Sequence, residues 1–134
     1  MKRLLATTML SLACFGANAE WTLFGSADDS SVTWYTDDST FKRVGDIIKI
    51  WLLADRKEAV ESNGTKYVSS RELQEINCAE DTRRETYVDL YSSQMGKGTS
   101  IRTYNQPNIQ WRPTPPGTMA ANLLKFFCAQ KAKP

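Results

Sequence analysis

Of the three cysteines in this 134-residue chain, only Cys78 and Cys128 are placed to belong to a folded domain, and they stand fifty positions apart. Cys14 falls in what reads as a leader. Met1-Lys2-Arg3 is a short positive start, Leu4 to Phe15 an apolar run, and Gly16-Ala17-Asn18-Ala19 a small-residue end. That order predicts a secretory signal peptide cleaved between Ala19 and Glu20. A retained anchor would need about 20 apolar residues to cross a bilayer, more than Leu4–Phe15 supplies. A lipoprotein signal would make Cys14 the acylated first residue. Ser11-Leu12-Ala13 lacks the leucine that such signals carry three positions before the cysteine. An exported chain meets an oxidising compartment, where an even pair of cysteines in a small domain predicts a disulfide. Joining Cys78 to Cys128 would close a loop of about 50 residues, worth about 4 kcal/mol by chain entropy. The alternatives are two free thiols or a metal site. With no histidine in the chain, a tetrahedral zinc site would lack its usual ligands.

Residues 20–129 are expected to form one domain and 130–134 a flexible tail, since the length leaves room for one core. Lys2 and Arg3 leave with the leader, so fifteen basic residues then face fifteen acidic ones. A formally neutral domain gives no electrostatic case for nucleic acid, and no span remains to cross a membrane.

Most of the domain reads as β-structure. Trp21–Ala27 and Val32–Thr36 are short runs separated by the turn-type Asp28-Asp29-Ser30-Ser31. Asp37-Asp38-Ser39 predicts another turn before Thr40–Val44. In Ile47–Leu53, the side chains of Ile48, Ile50 and Leu52 share one face and those of Ile47, Trp51 and Leu53 the other, as in a central strand buried on both sides. Asn63-Gly64 suits a type I′ hairpin turn; with Thr65 it also makes an N-glycosylation pattern. Lys66–Cys78 reads as a long, bulged strand, although 71–75 would also suit a helix. In Arg83–Ser92, Thr86, Val88 and Leu90 alternate with Glu85, Tyr87, Asp89 and Tyr91. Met95-Gly96-Lys97-Gly98 is expected to be a hairpin turn leading to a strand over Ser100–Asn105. The prolines of 111–117 exclude helix and central strand. Thr118 then caps a helix to about Ala129, with Met119, Ala120, Leu123, Leu124, Phe127 and Cys128 at helical spacing. The expected fold is therefore α+β: a small antiparallel sheet of about six strands, with a C-terminal helix packed on it and tethered by the disulfide.

The residue inventory argues against catalysis. Without histidine there is no Ser-His or Cys-His pair and no histidine base. Met95–Thr99 lacks the spacing of a phosphate loop. Asp28-Asp29 and Asp37-Asp38 lack the alternate spacing of calcium ligands and read as solvated turns. Glu72 with Glu75, or Glu85 with Asp89, would be candidate acid–base couples only if a cleft joined them. We expect no enzyme, no cofactor and no metal. Tyr87 and Tyr91, interleaved with Glu85 and Asp89, are the candidate partner-binding residues, because aromatics beside charges suit a protein-binding surface; cross-strand packing is the alternative.

The chain resembles the surface-adhesin protein E family of Gram-negative bacteria. The resemblance rests on Tyr67 and Ser70 ahead of Glu75-Ile76-Asn77-Cys78, on Arg83-Arg84, and on Tyr91 followed by Met95-Gly96-Lys97-Gly98. It ends in Trp111-Arg112-Pro113 with Pro115-Pro116-Gly117-Thr118 and a helix closing on Cys128. It implies the same disulfide-tethered sheet and helix, adhesion to host proteins such as vitronectin, laminin and plasminogen, lipid anchoring, and a capacity to dimerise. The Cys14 context departs from the anchoring expectation, and no adhesive segment matches residue by residue. The expected function is a non-enzymatic, exported binding module with a protein partner in the host matrix or the envelope. Its location would be the periplasm, outer membrane or cell surface. A periplasmic accessory subunit and an inhibitor of an envelope-targeting enzyme are the alternatives.

Overall fold

The computed structural model describes residues 19–131. The predicted leader, apart from Ala19, and the end of the predicted tail lie outside the described residues.

Six strands follow one another up and down in chain order: β1 (Thr22–Ser26), β2 (Val32–Val44), β3 (Ile47–Ser62), β4 (Thr65–Asn77), β5 (Thr82–Tyr91) and β6 (Ser100–Asn105). All neighbours pair antiparallel. A two-residue strand, β7 (Arg112–Pro113), pairs with the start of β5 and prolongs the β6 edge. The helix α1 (Met119–Cys128) follows the proline-rich stretch. The α+β architecture expected from the sequence is the one found, with Cys78 bonded to Cys128. Among the described residues, no helix is long and apolar enough to cross a membrane.

Local chemistry explains the joints. Asn63 and Gly64 take φ of 49° and 75°, as a type I′ turn requires, and they join the two central strands. The Thr118 hydroxyl accepts the Ala121 amide at 3.2 Å, satisfying one of the unpaired donors at the start of α1. Arg43 of β2 donates to the carbonyls of Cys128 (2.9 Å) and Gln130 (2.5 Å), which serves the unpaired acceptors at the other end.

The core lies between one side of the sheet and α1. Ile48, Ile50 and Leu52 of β3 and Ile76 of β4 meet Leu123 and Phe127 of the helix. None of the six is more than 3% exposed. Phe127 stacks with Phe24 and Phe41, and the disulfide closes the margin of this cluster.

Three local expectations change. Asp37-Asp38-Ser39 does not separate two strands: β2 runs through, and residues 38–41 bulge opposite Ile50. The turn chemistry is present, but the Thr40 hydroxyl accepts the Trp51 amide at 3.1 Å and so carries the ladder across the bulge. In β5, Leu73 faces Tyr87 and Gln74 faces Glu85, leaving Thr86 as an extra residue. A bulge switches the face of every residue before it, so Glu85 joins the helix side, away from Tyr87. Finally, Met95–Gly98 is not a tight hairpin turn. The connection from Ser92 to Thr99 is longer and contains a single 3-10 turn, Gln94–Gly96, which folds over the side of the sheet opposite α1.

Candidate functional site

Alternate residues of the same strands build that opposite side. Trp51 pairs with Asp37 and Leu73, Arg71 with Leu53 and Asp89, and Leu73 with Tyr87. The 3-10 turn caps one end of this face. Ser69 Oγ donates to the Ser93 carbonyl (2.6 Å) and accepts the Gly96 amide (2.9 Å), while Asp55 Oδ1 accepts the Met95 amide (2.7 Å). Gly96 has φ +63°, and a Cβ there would stand 2.5 Å from Arg71 Nε. Glycine is what permits this approach. Arg71 Nη2 donates to the Gly96 carbonyl at 3.0 Å. The guanidinium is thereby held 5.1 Å from the ring centre of Tyr91 and 5.9 Å from that of Trp21, within cation–π range.

Beside this clamp lies a pocket of about 380 Å³. Its walls are largely aromatic, with Trp21, Trp51, Tyr87 and Tyr91, and Thr40 and Ala19 complete them; Ala19 is the residue after which the leader is expected to be cut. Trp51 and Tyr87 meet edge to face, with ring centres 5.6 Å apart and planes at 70°, forming a corner. Two carboxylates also line it, and they differ. Asp89 is committed: Oδ1 accepts the hydroxyls of Ser100 (2.9 Å) and Thr103, and Oδ2 accepts that of Tyr91 (3.2 Å). Burial raises the Tyr91 phenol above its ordinary value; Arg71 opposes this and Asp89 adds to it. The phenol therefore stays a neutral donor at physiological pH. Asp37 is only 5% exposed. Its Oδ1 accepts the amide (3.1 Å) and hydroxyl (2.5 Å) of Ser39, and among the described residues no hydrogen bond reaches its Oδ2. Arg71 likewise has no ion-pair partner among the described residues.

The other end of the face is closed by ion pairs. Glu75, 5% exposed, meets Lys49 at 2.9 Å and Arg84 at 2.6 Å. Burial pushes its carboxyl up, but the hydrogen bonds and charges of Lys49 and Arg84 outweigh this and hold it below its ordinary value. Arg84 also lies 4.5 Å from the ring centre of Trp111 and donates to the Ile109 carbonyl at 3.3 Å. It pins the chain before β7 to the sheet.

Tyr87 and Tyr91, the two residues selected from the sequence, both line the pocket. Tyr91 is not an open aromatic, since it is 9% exposed beneath Arg71. Cys78 and Cys128 sit at the helix-side core, away from the pocket. Sequence reasoning missed Trp21, Asp37, Trp51 and Arg71. The parity of Trp51 with Leu53 was a usable signal; nothing local marked Arg71. Asp37, read as a solvated turn residue, is buried because its turn is a bulge inside a strand. Asp29 does act as an exposed turn residue, accepting the Ser31 amide at 2.9 Å.

The proposed acid–base couples do not form. Glu72 and Glu75 are three positions apart on β4 and point to opposite faces, and the β5 bulge separates Glu85 from Asp89. Glu72, on the helix side, accepts hydrogen bonds from Ser70 (2.7 Å) and Gln74 (3.0 Å). Burial, then the charge of Glu85, raises its carboxyl above the ordinary value. No group of three or more His, Cys, Asp or Glu suited to a metal ion occurs among the described residues. What the pocket offers is aromatic surface, one unmatched carboxylate oxygen and one guanidinium, which is equipment for binding.

Comparison with curated protein sequences finds no match. Among solved structures, protein E of Haemophilus influenzae is similar in fold. One crystal form superposes with a TM-score of 0.59 at 14% identity, covering 85% of this chain and 92% of that one. A selenomethionine form gives 0.58 at 15% identity, covering 85% and 91%. Protein E from a non-typeable H. influenzae gives 0.56 at 15% identity, covering 86% and 79%. The family profile described as surface-adhesin protein E matches residues 21–129, from the pocket's Trp21 to the end of α1. The chain belongs to the surface-adhesin protein E family.

Proposed function

We propose that this protein is exported, with its leader cleaved after Ala19, and works as a non-enzymatic adhesin-type module that grips a partner in the host matrix or the cell envelope. The pocketed, helix-free face of the sheet is the gripping surface, and Tyr87 and Tyr91 belong to it together with Trp51. Membership of an adhesin family supports the class of function. The observation that carries the choice of face is the aromatic-walled pocket in which Asp37 Oδ2 and Arg71 have no charged or hydrogen-bonding match for each other. Tryptophan, tyrosine and arginine in a partly dry pocket are the residues that dominate binding energy at protein surfaces. The helix side has openings at the margins of α1, about 390 Å³ beside Phe24, Trp34 and Met119 and about 210 Å³ beside Phe41 and Phe126, but neither combines tryptophan, tyrosine and arginine.

Immobilised host matrix proteins and envelope extracts should retain the exported protein. A Trp51→Ala/Tyr87→Ala variant should be washed through while its melting transition persists. Equal retention of both would reject this face, and retention of neither would reject the binding module. Protease accessibility on intact cells separates surface display from a periplasmic location: protection until the outer membrane is opened would support the accessory role instead.

A further inference from the structure

We propose that the pocket is a saccharide subsite, taking a neutral pyranose ring between the Trp51–Tyr87 corner and the Asp37–Arg71 pair. The inference rests on the pocketed face being the binding face. Three observations point to this class of ligand. First, the polar groups that face the pocket without partners are of opposite sign. Asp37 is at least nine-tenths buried and leaves Oδ2 unmatched. Arg71 spends one nitrogen on the Gly96 carbonyl and has no carboxylate within ion-pair distance among the described residues. Its Nε is buried without a hydrogen-bond partner, which is costly. A cationic ligand would answer Asp37 but meet Arg71, and an anion would do the reverse. A neutral ring carrying hydroxyls donates to the one and accepts from the other.

Second, the aromatic planes are arranged for a flat apolar face. Trp51 and Tyr87 stand at 70°, so a ring stacked on one presents its edge to the other. The axial C–H face of a pyranose is apolar and its equatorial rim is polar, which is the division this corner imposes. Third, the other polar groups nearby are already used. Asp89 is filled by three hydroxyls and the Tyr91 phenol is spent on Asp89, which leaves Asp37 and Arg71 as the selective contacts. The volume of about 380 Å³, with Ala19 still in the wall, is at the small end of ligand sites, roughly 300–1,000 Å³, and cleavage after Ala19 would open the pocket further.

The test is a titration of the exported protein with methyl glycosides of glucose, galactose, mannose and N-acetylglucosamine, read by tryptophan fluorescence and saturation-transfer NMR. At least one should bind saturably with a millimolar Kd, a strength suited to one ring in an open pocket. Trp51→Ala should abolish the response and Asp37→Asn should weaken it at least tenfold, whereas Phe126→Ala, on the helix, should leave it unchanged. If Asp37→Asn does not fold, Tyr87→Ala serves, with an expected loss of at least tenfold. Two sources are then separated. Retention on host glycoproteins that disappears after glycosidase treatment assigns the ring to host glycans; retention on purified envelope polysaccharide assigns it to the bacterium. No response from any glycoside, or Asp37-dependent binding of an oligolysine peptide instead, overturns the proposal. If Trp51→Ala still abolishes partner retention while no glycoside binds or competes, the saccharide assignment falls and the binding face stands.

Discussion

The two sides of the sheet draw on alternate residues of the same strands and come out as different materials. Toward α1, β3 contributes Ile48, Ile50 and Leu52, each wholly buried, and the helix answers with Leu123 and Phe127. Away from α1, the same strand contributes Lys49, Trp51 and Leu53, and what answers is a 3-10 turn at one end, ion pairs at the other and a pocket between. The difference teaches that the side that supplies the core and the side proposed for recognition are opposite surfaces of one sheet. Dispersion and hydrophobic burial need a continuous apolar partner, and a binding pocket needs polar groups left unmatched until a ligand arrives.

That division can be broken by measurement. The largest expected effect is from replacing both Cys78 and Cys128 by serine, which frees the helix-side tether and should cost about 4 kcal/mol in denaturant unfolding. The pocket lies on the other face, so partner retention by the folded fraction should survive. Next, Leu123→Ala should cost about 3 kcal/mol by opening a cavity under α1. An equal cost from Trp51→Ala would show that the pocket face is a second core; we expect about 1.5 kcal/mol there, with retention lost.

Glu75 gives an intermediate effect with a pH signature. Its folded value lies below the ordinary 4.5, so its contribution is present above that pH and is lost as pH falls through the folded value. Glu75→Gln should therefore cost about 2 kcal/mol at pH 7, and its unfolding curve should converge on that of the parent in acid. Glu72, three positions earlier on the helix side, should show the smallest effect and the opposite sign. Its folded value is raised, so the ionised carboxylate works against the fold once pH exceeds that value. Glu72→Gln should gain up to about 1 kcal/mol at pH 7, and the gain should vanish below pH 4.5. A loss at pH 7 would mean that the Ser70 and Gln74 hydrogen bonds outweigh burial.

Sequence signals of short range located most of the elements. Asn63-Gly64, the Thr118 cap and the helical stripe through Leu123 and Phe127 each depend on neighbours within a few positions, and each is where the spacing put it. The pocket was half legible. Tyr87 was found through alternation, because the β5 bulge lies before it, and the same bulge sent Glu85 to the wrong face in the sequence reading. Arg71 sat in a strand candidate that would also suit a helix, and its neighbours Trp21 and Gly96 come from the two ends of the sheet's sequence.

The sequence by itself determined the pair of cysteines that could staple a helix to a sheet, the succession of β-structure followed by one terminal helix, and the absence of any histidine chemistry. These follow from composition and from periodicity along one strand at a time. Only the tertiary structure decided which face carries the pocket walled by Trp21, Trp51, Tyr87 and Tyr91. Two bulges reset the strand parity, and a glycine-permitted close approach from the β5–β6 connection holds Arg71 in the wall of the pocket that Asp37 and Trp51 also line. Such a juxtaposition depends on register across four strands, which no local pattern encodes.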